Sequence, residues 1–385
     1  MGCKQQFGLV RLCLAISMQV LVAAESFLRW RPPPMYVFGD SILDVGNNNY
    51  LPGANVSRAN MPYYGIDLFP GRIPTGRFSN GHNTADYIAR SMGWLHSPPP
   101  YLSLAPERLM TSLILTAGTL TTGVNYASAG AGILDSTSAG KSIPLSRQVE
   151  YFNATRATML AAMDDGTVDD LLAKSIFLIS AGSNDLLLSQ QQQSRNSSSS
   201  SSRSSSLVVS VSDLISNYSA TIEDLYDMGA RKFAIINVGP LGCVPAVRVL
   251  NSTGGGCAAG LNQLAASFDA ALRPMLTGLA TRMPDMAYSL ADYFGLAQDA
   301  FADPQASGYT DIAGACCGGG RLLAEAGCLP NSTVCTSRDE RDSHVFWDRF
   351  NPSQRASLLT AQAFYDGPVK YTEPINFMQL AQSSS

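Results

Sequence analysis

Histidine is scarce in this chain: 385 residues hold three, His82, His96 and His344. Any imidazole-based proton transfer must draw on one of them. No Cys-x-x-Cys pair or histidine cluster stands near the adjacent Cys316 and Cys317, so the ligand spacing of a zinc site is missing and no metal is expected. Charge is sparse as well. Asp, Glu, Lys and Arg make up 15% of the residues, below the ~25% of an average globular chain. The balance of 26 basic and 30 acidic residues gives a net charge of −4, without the basic excess that nucleic-acid binding needs. After residue 24 no apolar run approaches the roughly 20 residues of a membrane-spanning helix. Collagen, coiled coil and wholesale disorder are excluded by composition. What is present is 45% apolar residues, enough for a large core, on a length that one open α/β domain can absorb.

The first 24 residues read as an export signal. Lys4 and Arg11 supply positive charge, residues 12–24 (LCLAISMQVLVAA) an apolar stretch, and Val22-Ala23-Ala24 small residues for cleavage before Glu25. Removal would take Cys3 and Cys13 with it. Cys243, Cys257, Cys316, Cys317, Cys328 and Cys335 remain, an even set that suggests disulfides with fifteen connectivities open. Asn-x-Ser/Thr triplets at Asn55, Asn153, Asn196, Asn217, Asn251 and Asn331 point the same way, to the secretory pathway. No KDEL-type ending is seen, so release from the cell is expected, with the endoplasmic reticulum lumen as the alternative.

Strands and helices alternate along the chain. Residues 35–39 (MYVFG), 175–181 (SIFLISA) and 233–238 (FAIINV) are apolar runs of buried-strand length, and 286–291 is a weaker fourth. Between them, residues 207–228 place Leu207, Val211, Leu214, Tyr218, Ile222 and Leu225 at helical spacing, with Gly229 as a stop. Residues 258–280 do the same with Leu261, Leu264, Phe268, Leu272, Met275 and Leu279, and Pro274 predicts a kink. Such alternation predicts a parallel sheet covered on both faces, with ligands beyond the carboxyl ends of its strands. Residues 189–206 interrupt the order: Gln and Ser with nothing apolar to bury predict a solvated, disordered loop.

Chemistry enters at the end of the first strand. Residues 38–49 read Phe-Gly-Asp-Ser-Ile-Leu-Asp-Val-Gly-Asn-Asn-Asn. A serine in a Gly-Asp-Ser turn directly after a buried strand stands at the carboxyl edge of the sheet, where its Oγ faces a crevice as a nucleophile must. The competing reading is that Asp40 and Ser41 cap a following helix.

The whole string resembles the plant GDSL esterase/lipase family of the SGNH hydrolase superfamily. Four other stretches extend the resemblance over almost all of the chain after the leader: Gly76–Gly81, the run from Gly123 to Gly132 (GVNYASAGAG), Gly182-Ser183-Asn184-Asp185, and the Gly239–Cys243 turn, with Cys316-Cys317-Gly318 following. The resemblance implies a three-layer α/β/α, flavodoxin-like fold around a mainly parallel five-stranded sheet, as a single domain over residues 25–385. It makes Ser41 the nucleophile, with Gly130 and Asn184 matching the family's oxyanion glycine and asparagine. The N–H groups of Ser41 and Gly130 and the Asn184 amide would then stabilise the tetrahedral oxyanion of ester cleavage. It also implies a Cys243–Cys257 disulfide. No cofactor is implied, since a hydroxyl, fixed donors and a base suffice.

The last motif departs from the family. There Asp-x-x-His-Pro supplies an orienting acid and a base; here the string is Phe346-Trp-Asp348-Arg-Phe-Asn351-Pro352-Ser353. Asp348 matches, but Asn351 occupies the base position, and an amide oxygen accepts a hydrogen bond without taking a proton near pH 7. Asn351 has a local role open to it, as N-cap of a helix running from Pro352 to about residue 364. His344, four residues before Asp348, could reach the site only if its loop were rearranged, and His82 and His96 read as loop residues. Two functions are therefore expected. One is a secreted ester hydrolase acting on lipid or acyl esters through Ser41, with impaired or altered catalysis. The alternative is an inactive relative that binds acyl lipids in the same crevice. Both take a small-molecule partner, with no nucleic acid and no stable membrane insertion.

Overall fold

The computed structural model of the protein describes residues 32–68, 73–104, 122–189, 210–251 and 255–383. The leader over 1–24 and nearly all of the Gln/Ser-rich stretch lie outside them. Four strands form the central sheet in the order of the chain: β1 (Met35–Gly39), β2 (Ile176–Ser180), β3 (Lys232–Ile236) and β4 (Ala287–Ala291), all parallel. Outside this sheet lie β5 (Asp311–Ala315), paired parallel with β8 (His344–Phe346), and β6 (Cys317–Gly318), paired with β7 (Thr333–Val334). The two-residue β9 (Thr372–Glu373) closes the central sheet antiparallel to β4, giving five mainly parallel strands.

The strands are apolar on both faces because both faces are covered. Tyr36, Phe38, Phe177, Ile179, Phe233 and Ile235 point to one side. There they pack with α2 (Leu145–Leu160), α3 (Asp165–Lys174), α4 (Val211–Asp227) and α5 (Ala259–Arg282), while α1 (Thr84–Ser91) lies on the other side. Met35, Val37, Ile176, Leu178, Ala234 and Ile236 point to that second side, against α1, α6 (Gln354–Tyr365) and α7 (Phe377–Gln382). This is the α/β/α layering the alternation implied. The described residues from 33 onward form one compact unit.

The local expectations hold with shifts of a residue or two. α4 buries Leu214, Tyr218, Ile222 and Leu225, and Thr221 joins them; Leu207 lies outside the described residues. In α5 the buried stripe is Leu261, Ala265, Phe268, Leu272, Leu276 and Leu279, so Ala265 and Leu276 take the central places expected for Leu264 and Met275. α5 continues through Pro274 as one element of 24 residues, with the proline on its exposed side. One local expectation fails. The N-cap of α6 is Ser353, whose side chain accepts from the Ala356 N–H, and not Asn351. Residues 351–353 are still extended against β8: Pro352 bridges Phe346 and the Ser353 N–H donates to the Val345 carbonyl at 2.8 Å, so the helix starts later.

The six cysteines pair as Cys243–Cys257, Cys316–Cys335 and Cys317–Cys328. The first is the pairing that the family resemblance implied.

Candidate active site

β1 ends at a switch in the sheet's winding. On one side lies β2; on the other, residues 124–126 run parallel to β1, with the Val37 N–H donating to the Val124 carbonyl and the Tyr126 N–H to that of Val37. Crevices open at such points beyond the carboxyl ends of the strands. Gly39, at φ +139°, turns the chain there, and buried Gln148 clamps it from both directions: its Oε1 accepts from the Gly39 N–H at 2.8 Å and its Nε2 donates to the Gly39 carbonyl at 2.9 Å. Asp40 and Ser41 follow as a turn and cap no regular helix; the Asp40 carboxylate accepts from the Ile42 N–H at 3.1 Å.

The two other loops are stapled to this turn. Asp44 accepts from the N–H groups of Gly46, Asn47 and Ala129 at 2.7–3.0 Å. Asn47 donates to the carbonyls of Asn125 and Ala127, and Asn48 to that of Ala129. The asparagine run of the first motif thus fastens the Gly130 loop. Gly130 adopts φ +87°, yet a Cβ there would meet only ordinary contacts at 3.6–3.8 Å, so it is conformation more than space within the protein that favours glycine. Asp185 holds the far side of the same loop by accepting from the N–H groups of Ile133 and Leu134 and the Thr137 hydroxyl. Asn184 opens a helical stretch over 183–189 after β2. Its Nδ2 donates to the Ala131 carbonyl at 2.9 Å and stands 3.5 Å from an Asp40 oxygen, too far for a strong bond, which leaves one amide hydrogen to offer.

Asp348 is buried and collects donors: Tyr64 Oη at 2.9 Å, the N–H groups of Phe350 and Asn351 at 2.9 and 2.8 Å, and Asn351 Nδ2 at 2.9 and 3.0 Å from its two oxygens. Burial raises the Asp348 carboxyl above its ordinary value and these bonds oppose the rise. Asn351 therefore spends its amide nitrogen on the carboxylate and keeps Oδ1 for other partners.

Ser41, Gly130, Asn184, Asp348 and Asn351 all line one cavity of about 560 Å³. Its walls include Met61, Phe78, Leu187, Leu241, Phe301 and Phe346, an apolar surface suited to an acyl chain. None of the three histidines lines it. His344 sits with Nδ1 2.8 Å from the Glu340 carbonyl and Nε2 3.7 Å from an Asp311 oxygen. His82 and His96 stack at 5.5 Å beside α1. Two clusters of metal-ligand type occur among the described residues. In one, Cys316 and Cys335 are spent on each other and His344 stands alone. In the other, the Asp86 carboxylate between His82 and His96 already takes Arg77 and the N–H groups of Asn83 and Ser97. Neither offers three uncommitted ligands.

Burial also acts on Asp40. Loss of water pushes its carboxyl up to about 7, with the charges of Asp185 and Asp44 adding and the Ile42 N–H opposing. An unfolded Asp titrates near ~3.9. Folding therefore takes up a proton between these values, and this stabilising contribution, complete below about pH 4, is lost as pH rises through about 7. Scanning calorimetry of Asp40→Asn should give a melting temperature that falls less from pH 5 to pH 8 than that of the wild type. Parallel profiles would mean that folded Asp40 is ionised throughout.

The family model described as GDSL-like Lipase/Acylhydrolase matches residues 35–364. Three Arabidopsis thaliana proteins, each named a GDSL esterase/lipase, are similar over nearly the whole chain. One is 36% identical over 355 residues, covering 91% of this chain and 90% of its own. A second is 33% identical over 381 residues, covering 97% and 98%. A third is 35% identical over 352 residues, covering 90% of each.

Proposed function

The chain belongs to the GDSL-like lipase/acylhydrolase family, and on that premise we propose that it is a secreted serine ester hydrolase of lipid or acyl esters whose turnover is impaired at the proton-transfer step. The observation that carries this reading is the single cavity that Ser41 shares with Gly130, Asn184, Asp348 and Asn351. Ser41 Oγ attacks the acyl carbon, and the carbonyl oxygen becomes an oxyanion facing the N–H groups of Ser41 and Gly130 and the second amide hydrogen of Asn184. Collapse expels the alcohol, and water frees the acyl group. The serine proton is the difficulty. Asn351 occupies the position beside Asp348 but has no basic atom, so the proton leaves without a resident acceptor. Oxyanion donors and binding alone still leave about 10³–10⁴ over the reaction in water.

Secretion is supported by the apolar leader over 1–24 and by three disulfides in the remaining domain over 25–385. Among the described residues no helix is long and apolar enough to cross a membrane.

A second reading is favoured by Asn351 and by the absence of any histidine from the cavity wall: an inactive relative that binds acyl lipids in the same crevice. Assay of the purified protein and of Ser41→Ala on short and long acyl esters separates the two. Hydrolysis by the wild type that Ser41→Ala loses supports the enzyme. Equal background rates for both, with acyl-lipid binding retained, support the binder.

A further inference from the structure

Arg349 is the residue between the orienting acid and the rest of the last motif, and it lines the same cavity. Among the described residues no hydrogen bond or ion pair reaches its guanidinium, and its Nε is buried without a partner. The Phe350 ring lies beside it, with its centroid 5.2 Å from Cζ. Asp348, adjacent in sequence, makes no ion pair with Arg349; that carboxylate takes its hydrogen bonds from Tyr64, Phe350 and Asn351. Arg156 Nε is likewise buried without a partner, but its terminal nitrogen pairs with Asp169, and the more buried arginines are engaged. Arg341 holds Asp67 with two nitrogens, at 2.6 and 2.7 Å, Arg77 holds Asp86 in the same way, and Arg248 donates to three backbone carbonyls. A second arginine, Arg58, also lines the cavity; it donates to the carbonyls of Leu51 and Gly53 and makes no ion pair among the described residues. The acidic residues of the cavity, Asp40 and Asp348, are 2% and 3% exposed and engaged within their own turns.

We propose that the cavity selects acyl ligands bearing an oxyanion, a carboxylate or a phosphate, and that Arg349 binds it, with Arg58 adding charge. A guanidinium presents its N–H groups as a planar fork that matches two oxygens of such an anion. The buried Nε and the unengaged terminal nitrogens of Arg349 are a fork without a partner on the wall of the cavity. A neutral ester would leave them unmet, whereas an anionic one would satisfy them. This rests on the cavity being the acyl site, though not on turnover.

The test is calorimetric titration of the full secreted protein with octanoate, octyl phosphate and 1-octanol, ligands with the same chain length that undergo no reaction. The favoured anion should bind at least about tenfold more tightly than octanol, as expected for a charge-assisted pair, and octanoate against octyl phosphate identifies which oxyanion. Arg349→Gln should lower that affinity about tenfold and octanol affinity by less than about twofold, with Arg349→Lys between and Arg58→Gln the milder loss. Unchanged melting temperatures exclude misfolding, and Arg349→Lys carries the test if the glutamine variant fails to fold. Equal affinity for octanol and both anions, or an anion preference that survives in the Arg349 variants, overturns the proposal and leaves the acyl site standing. Binding of none of the three overturns both.

Discussion

Restoring a base is expected to speed this protein up: Asn351→His should raise ester turnover by at least about tenfold. The surroundings of position 351 are already those an imidazole needs. Asp348 lies within hydrogen-bond distance of the Asn351 side-chain nitrogen, and Tyr64 and two backbone N–H groups hold the carboxylate in place. A histidine Nδ1–H takes over the bond that Nδ2 now makes, and the rest of the ring extends into the cavity that position 351 lines. Nε2 then supplies the missing proton acceptor. General acid–base catalysis usually contributes roughly 10²–10⁴, and removal of the histidine from a serine-protease triad lowers turnover about 10⁶-fold; tenfold is therefore a floor that allows for imperfect placement. The gain should need Ser41, so Ser41→Ala/Asn351→His should show none of it. It should also bring a new pH dependence, with activity rising as the imidazole loses its proton from an ordinary value near ~6.5, moved upward by the neighbouring carboxylate. A wild type that is already fast, and that Asn351→His slows, would refute the missing-base account.

Much of this arrangement was legible in the sequence, for identifiable reasons. β1, β2 and β3 are continuous apolar runs because both sheet faces are buried, so their limits fall within two residues of expectation. β9 could not be read: two residues, Thr372 and Glu373, join the sheet by backbone pairing to Leu290 and Ala291 and carry no hydrophobic pattern. The Asn351 cap failed because Asn-Pro-Ser holds two good capping side chains, and only the pairing of Pro352 with Phe346 decides for Ser353. Ser41, Gly130 and Asn184 were legible as motifs, and they do line one cavity. Tyr64 was not, being 284 residues from the Asp348 it holds, in a loop with no motif of its own. Gln148 meets Gly39 across 109 residues from inside a helix, where a buried glutamine looks like any polar surface residue in sequence. Asn47 and Asn48 stood inside the first motif, but their role as staples appears only once the Gly130 loop lies beside them. Arg349 was written within the last motif, where nothing local signals that its guanidinium lacks a partner.

The same β1 turn sets the other large effect, on folding. Gly39→Ala should destabilise the protein by about 3 to 5 kcal/mol, from overpacking against a fixed neighbour plus backbone strain. Gly39 has φ +139°, and an added Cβ would collide with the Ser180 carbonyl oxygen and stand 3.0 Å from the carbon behind it. That carbonyl cannot yield cheaply. It belongs to β2 in register with Gly39, and it accepts from the Asp40 N–H. Gln148 and the Ser128 N–H hold Gly39 in turn, so moving β1 aside breaks bonds on both flanks and displaces Ser41. Gly130→Ala is the matched control: its φ is also positive, at +87°, but a Cβ meets nothing closer than 3.6 Å, and only strain of about 1–2 kcal/mol is expected. Urea unfolding of the two variants should therefore separate their midpoints widely, with Gly39→Ala the less stable. Equal midpoints would mean that strain alone governs both positions, and that the contact between Gly39 and Ser180 does not fix the turn that presents Ser41.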